Sequence, residues 1–198
     1  GHIAFVIADV SGKGVPAAIF MAICRTLLKT IALFENDPAK CVRQLNDLLS
    51  ADNEQMMFVT LFFGVYDPET GRVQFVNAGH NPPFKISADG MVDALPRSSD
   101  MAVAVVEDMD FTAQELTLEP GDRLVLYTDG VTEAFNPEGE QFGDDRFAAV
   151  LSGETDQTTA GAAHATVEAI RVFEAGNDQS DDITILVLHR KAGAQADA

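Results

Sequence analysis

Cysteine is scarce in this 198-residue chain, which carries only Cys24 and Cys41. Two thiols build neither a disulfide framework nor a four-ligand zinc site. Both fall in stretches that read as helix, so reduced thiols in a cytoplasmic protein are the expectation. Basic residues are also few: 13 Lys and Arg stand against 31 Asp and Glu, a net charge of −18. The imbalance is uneven, −3 over residues 1–100 and −15 over residues 101–198. Phosphate-backbone contacts need clustered Lys and Arg, so nucleic-acid binding is disfavoured. Long apolar runs are missing as well. Arg25 and Lys29 interrupt the longest one, so no window approaches the ~18 apolar residues of a membrane span, and the start lacks a basic-then-apolar leader. No membrane contact by this domain is expected.

What is present is a chain with 46% hydrophobic residues, enough for one globular domain with a sizeable core. Residues 2–10 (HIAFVIADV) form a β-branched and aromatic run that ends at Asp9 and enters the turn Ser11-Gly12-Lys13-Gly14. Val15, Ile19, Ala22, Ile23, Thr26, Leu27, Ile31 and Phe34 recur at helical spacing, predicting an amphipathic helix over about 16–34 with Pro16 in its first turn. Asp37-Pro38 supplies an N-cap and a first-turn proline for a second helix that buries Val42, Leu45, Leu48 and Leu49. From Phe58 onward, FVTLFFGVYD, RVQFVNAG, FKISADG and MVDALP read as an antiparallel meander. Further strands are expected at 109–118, 123–129 and 182–189, and helices at 144–151 and 158–175. Phe62, Phe63, Phe75, Phe84, Phe111 and Phe147 fall on these patterns and are assigned to the core. The reading is a single α/β domain with antiparallel sheets and flanking helices over residues 1–190, followed by a frayed tail at 191–198.

Three acidic segments stand at predicted strand ends: Asp9 closing the first strand, Asp129 closing LVLYTD, and Asp181-Asp182 opening the last. Such positions are where a rigid scaffold meets an open cleft. Carboxylates that converge there repel one another unless a cation neutralises them, and hard oxygen ligands suit Mg²⁺ or Mn²⁺ rather than zinc. Each segment alone is ordinary turn chemistry, because Asp-Gly is a common turn dipeptide. His80 in NAGHNPP has two readings, a local turn hydrogen bond or a contact near a metal cleft. His2, His164 and His189 are assigned no role.

The ordered segments ADVSGKGVPAAIFM, FVTLFFGVYD, FVNAGHNPP, LYTDGVTEAFNPEGEQFG and SDDITILVL resemble the successive motifs of the bacterial PPM (protein phosphatase 2C-like) metal-dependent serine/threonine phosphatases, SpoIIE/RsbU-type branch. The resemblance covers roughly residues 3–189. It implies an α-β-β-α sandwich of two antiparallel sheets flanked by helices, with two Mn²⁺ or Mg²⁺ ions as cofactors. By the same resemblance Asp9 bridges both metals with the Val10 carbonyl beside it, while Asp129 and Asp181 hold the first metal. Asp182 is the neighbour of that ligand, and Gly12, Gly130 and His80 are candidates to surround the site; Glu133 has two readings, a place beside the ligands or a role in holding the loop. The implied reaction is hydrolysis of phosphoserine or phosphothreonine by a metal-bridged hydroxide, with no phosphoenzyme. In keeping with this, Cys24 sits in an apolar helix and not in a Cys-x₅-Arg loop.

Two departures accompany the resemblance. Relatives carry an upstream Gly-Gly-Asp-type motif, on a preceding strand, that completes the second metal site; the chain starts after it, so a domain lacking its first strands is the expectation. Lys13 stands where many relatives have a histidine, and a lysine holds a phosphate oxygen as a point charge but donates protons poorly at neutral pH. The branch implies a phosphoprotein substrate, an anti-sigma-factor antagonist, and an upstream sensor or receiver domain; a homodimer is also compatible. Two alternatives stay open: a catalytically incomplete binding module of the same fold, and another metal-assisted phosphohydrolase, which the acidic second half disfavours as a nuclease.

Overall fold

The computed structural model describes residues 1–51, 53–153 and 158–192. They form two compact units interleaved along the chain. The first takes residues 1–80 and 97–117, the second 81–96 and 118 onward.

In the first unit, β1 (Ile3–Val10), β2 (Val59–Tyr66), β3 (Arg72–Ala78) and β6 (Gln114–Thr117) make an antiparallel sheet in the order β1-β2-β3-β6. The β1–β2 register sets Asp9 opposite Thr60 and Val10 opposite Val59. One face takes α1 (Val15–Ile31) and α2 (Pro38–Ser50), whose Cys24, Leu28, Val42 and Leu45 pack with Leu61, Phe63 and Val76. Asp37 caps α2 as its sequence position predicts: its carboxylate accepts from the Ala39 N–H at 2.9 Å. On the other face Phe62 stacks between Phe5 and Phe75, with ring centroids 6.1 and 4.7 Å away. Gly64 makes the stack possible, because a Cβ there would run into the Phe5 ring.

In the second unit, β4 (Phe84–Ile86), β5 (Val92–Ala94), β7 (Arg123–Tyr127) and β8 (Ile185–His189) pair antiparallel in the order β5-β4-β7-β8. Its helices α3 (Gly143–Gly153) and α4 (Thr159–Glu174) bring Phe147, Leu151 and Ile170 against Phe84, Val125 and Tyr127. The expected two antiparallel sheets with helices are therefore present.

Several boundaries differ from expectation. The predicted meander does not stay in one sheet: β2 and β3 belong to the first unit, β4 and β5 to the second. The helix expected to reach residue 34 ends at Ile31, and residues 32–34 form a turn. The strand expected over 109–118 begins only at Gln114, since Phe111 is buried from a loop and the Thr112 N–H is taken by the Asp100 carboxylate at 2.7 Å. Asp129 lies in a 3₁₀ turn and not in β7, and β8 starts at Ile185, three residues after Asp182. Of the tail expected at 191–198, Lys191 and Ala192 carry no regular structure and the rest lies outside the described residues. Both cysteines are free and buried. Burial pushes both thiols up to about 11, with Glu35 and Asp37 adding to the effect at Cys41. They are therefore protonated and inert.

The second unit is tied at one end by Asp122, which is 3% exposed. Its carboxylate takes the Lys85 ammonium at 2.9 Å and the N–H groups of Glu119 and Ala88 at 2.9 and 3.1 Å. Burial alone raises its pKa, but the Lys85 hydrogen bond and charge with the two N–H donors outweigh burial and leave it lowered. A carboxyl depressed on folding stabilises above its unfolded pKa of about 3.9 and loses that contribution as pH falls through the folded value. Asp122→Asn is expected to cost about 2 kcal/mol at pH 7. The difference from the parent should shrink below pH ~4, as urea denaturation at pH 7 and pH 3 would measure.

Candidate functional site

Asp9 stands at the penultimate position of β1, half-buried, with Val10 beside it. The turn that follows is fixed by backbone geometry: Gly12 and Gly14 have φ of 85° and 82°, which favour glycine, and Lys13 is exposed between them. Ser11 anchors the turn to the start of β2. Its N–H donates to the Phe58 carbonyl and its Oγ accepts from the Phe58 N–H, both at 2.9 Å.

His80 belongs to the same unit and is 7% exposed. Its N–H donates to Asn77 Oδ1 at 2.8 Å, the turn bond expected from the sequence. Its ring also reaches out of the turn, with Nδ1 3.0 Å from Thr60 Oγ1, and Thr60 is the cross-strand partner of Asp9. His80 therefore abuts the β2 residue facing Asp9, which sequence spacing did not reveal.

The second unit joins the other two acidic segments. The β7–β8 ladder ends at Tyr127 and Ile185. Beyond it, the Thr128 N–H donates to the Thr184 carbonyl at 3.1 Å, while Thr128 Oγ1 donates to the Asp182 carbonyl and accepts from the Thr184 N–H, both at 2.9 Å. Asp129 follows immediately, opening the 3₁₀ turn through Val131. Gly130 lies so close to the facing segment that a Cβ would stand 2.5 Å from the Asp182 carbonyl oxygen and 3.1 Å from that of Asp181. Asp181 accepts from the Asp182 N–H at 2.8 Å through Oδ1, and its carbonyl accepts from Gln179 at 2.7 Å. Glu133 is exposed, and its main-chain N–H closes onto the Asp129 carbonyl at 2.8 Å. Thr128, Ser11 and Thr60 were not singled out from the sequence; only the place of Thr128, directly before a strand-end acid, could have signalled it.

Hard oxygen donors are what Mg²⁺ and Mn²⁺ take, and Mg²⁺ is commonly held by one or two carboxylates with water in its remaining positions. Asp129 and Asp181 fit that requirement in kind, on backbone segments that Thr128 and Gly130 hold in close apposition. Among the described residues no group of three or more His, Cys, Asp and Glu forms a metal site by itself.

The fold is that of the PPM, or PP2C, phosphatases. The PP2C domain with a regulatory fragment of SpoIIE from Bacillus subtilis matches 94% of this chain and 54% of its own at a TM-score of 0.81 and 22% identity. The phosphatase domain of that protein, presoaked with manganese, matches at a TM-score of 0.58, 20% identity and 85% and 73% coverage. More narrowly, the family model for stage II sporulation protein E (SpoIIE) matches residues 1–191, and the chain belongs to that family. Protein IcfG of Synechocystis is 32% identical over 96% of this chain and 34% of its own length. The phosphoserine phosphatase RsbU of Bacillus subtilis is 29% identical over 67% and 40%. The chain thus spans well under half of these relatives. No helix among the described residues is long and apolar enough to cross a membrane.

The closeness at Gly130 leaves no room for a side chain. Gly130→Ala is expected to lower the melting temperature by about 5 °C through overpacking, which thermal denaturation followed by circular dichroism would test.

Proposed function

We infer that residues 1–190 work as a metal-dependent serine/threonine phosphatase domain acting on a phosphorylated regulatory protein. The observation that carries this reading is the tie between Asp129 and Asp181-Asp182, two acidic segments distant in sequence whose backbones one threonine hydroxyl holds together. Membership of the SpoIIE family supports it, as does the likeness to RsbU, a phosphoserine phosphatase.

By the resemblance of the motifs, the proposed ligands for Mn²⁺ or Mg²⁺ are Asp9 and the Val10 carbonyl in the first unit and Asp129 and Asp181 in the second. When bound, such ions lower the pKa of water and neutralise phosphoryl charge. The chain's own residues supply the rest. The Gly12 and Gly14 conformations set the course of the backbone around Lys13, whose ammonium meets a phosphoryl oxygen as a point charge. Asp182 holds the orientation of Asp181 through its N–H, and Glu133 stabilises the Asp129 turn through its own. The two thiols are buried and protonated, so a cysteinyl-phosphate route has no nucleophile among them. The substrate proposed is an anti-sigma-factor antagonist, and the partner proposed is a sensor or receiver module elsewhere in the protein.

Hydrolysis of p-nitrophenyl phosphate and a phosphoserine peptide should require Mn²⁺ or Mg²⁺ and cease in EDTA. It is to be measured on this chain and on an N-terminally extended version. Asp129→Asn should lower turnover by about 100-fold or more, and Lys13→Ala should chiefly raise KM for the peptide. Turnover indifferent to EDTA would overturn the metal mechanism. A folded, metal-binding extended protein with no turnover on either substrate would favour a binding module of the same fold.

A further inference from the structure

Thr128 has a side chain whose bonding exceeds what a strand residue needs. In a regular antiparallel ladder the Thr184 N–H would donate to the Thr128 carbonyl, matching the Thr128 N–H bond to the Thr184 carbonyl. Here the hydroxyl takes that place: the Thr184 N–H donates to Oγ1 at 2.9 Å. The Thr128 carbonyl is left to accept from the Val131 N–H at 3.1 Å, which closes the turn carrying Asp129. The same hydroxyl donates its proton to the Asp182 carbonyl at 2.9 Å. One oxygen thus releases the chain into the Asp129 turn and fixes the segment that bears Asp181.

The environment makes this arrangement stiff. Thr128 is only 4% exposed, so water cannot readily replace either bond. On the turn side, Gly130 lies against the Asp182 carbonyl. The separation of the Asp129 and Asp181 backbones is therefore bounded both by an attractive contact and by a steric one.

We propose that Thr128 is a positioning residue for the cation seat: its hydroxyl sets the spacing between Asp129 and Asp181 and thereby the metal affinity of the second unit. This rests on the reading of those two acids as metal ligands. Groups that orient metal ligands without touching the ion typically change affinity about 10–100-fold when removed.

The test compares the whole protein with Thr128→Val, which keeps the shape and removes the hydroxyl, and Thr128→Ser, which keeps the hydroxyl. Mn²⁺ affinity is read by electron paramagnetic resonance and isothermal titration, with thermal melts alongside. Thr128→Val is expected to bind Mn²⁺ at least about 10-fold more weakly while folded, with turnover recovering at raised Mn²⁺, and Thr128→Ser to bind within about 3-fold of the parent. A folded Thr128→Val with unchanged Mn²⁺ affinity, even at a lower melting temperature, would reduce the residue to a structural one and overturn the proposal. Should Thr128→Val not fold, Thr128→Cys replaces the hydroxyl with a weak donor; Mn²⁺ binding at least about 10-fold weaker there upholds the proposal, and unchanged binding overturns it. A parent protein that binds no Mn²⁺ would instead defeat the ligand assignment itself, a result distinct from equal binding by parent and variant.

Discussion

The apposition of Asp129 and Asp181 depends on uncharged groups, because carboxylates cannot hold one another in place. Like charges brought together repel, so segments that each carry an acid need other contacts to stay side by side. Backbone hydrogen bonds at the end of the β7–β8 ladder supply them, and the Thr128 hydroxyl extends their reach past the last regular pair. The remainder of the second unit serves this arrangement. Phe84, Tyr127 and Phe147 pack edge-to-face and stacked beneath β7, and Tyr127 donates from its hydroxyl to Asp144 at the start of α3 at 3.0 Å. The strand that delivers Asp129 is thereby fixed to the helix layer one residue before the threonine.

The first unit uses a different device for its acid. Asp9 is carried on β1, which among the described residues pairs with β2 alone. The position of the following turn is set by Ser11 on Phe58, and the position facing Asp9 is occupied by Thr60, which His80 braces. The two hydroxyl residues and the histidine are small in number, yet each contacts a residue beside or opposite the acidic strand end. The described acids thus differ in what holds them: Asp122 is buried on the Lys85 ammonium, whereas Asp9, Asp129 and Asp181 stand where neutral hydrogen-bonding groups fix the backbone around them.

Much of this was legible in the sequence, and the parts that were not share physical causes. Periodicity located α1, α2 and β1, although only part of each predicted stripe is buried: Leu28, Val42, Leu45 and Ile7 are, whereas Val15, Ile19, Ile23 and Leu48 are exposed. It overextended β6, because Phe111 is buried from a loop and burial alone mimics a strand. It overextended β7 and β8 for a related reason: Thr128 and Thr184 have strand-like composition, but a side-chain oxygen substitutes for the ladder carbonyl there. The transfer of the chain from β3 to the other sheet was not visible either, since neighbouring strands with short connections read as one meander. The acids themselves stood out through their places at strand ends. The threonines that hold those ends did not, because a hydroxyl residue in a β run carries no distinctive pattern.

The interleaving of the two units governs how the chain can reach this state. When β4 and β5 leave the ribosome they have only each other as a hairpin, and a lone two-stranded hairpin is marginal in water. The partner strand β7 arrives only after the chain has returned to the first unit to lay down β6. The later sheet gains β7 and β8 only through long-range pairing, the kind of contact that slows β-rich chains. The segments that bear Asp129 and Asp181 are joined at the end of the β7–β8 ladder, so their closeness depends on the pairing of strands far apart in the sequence.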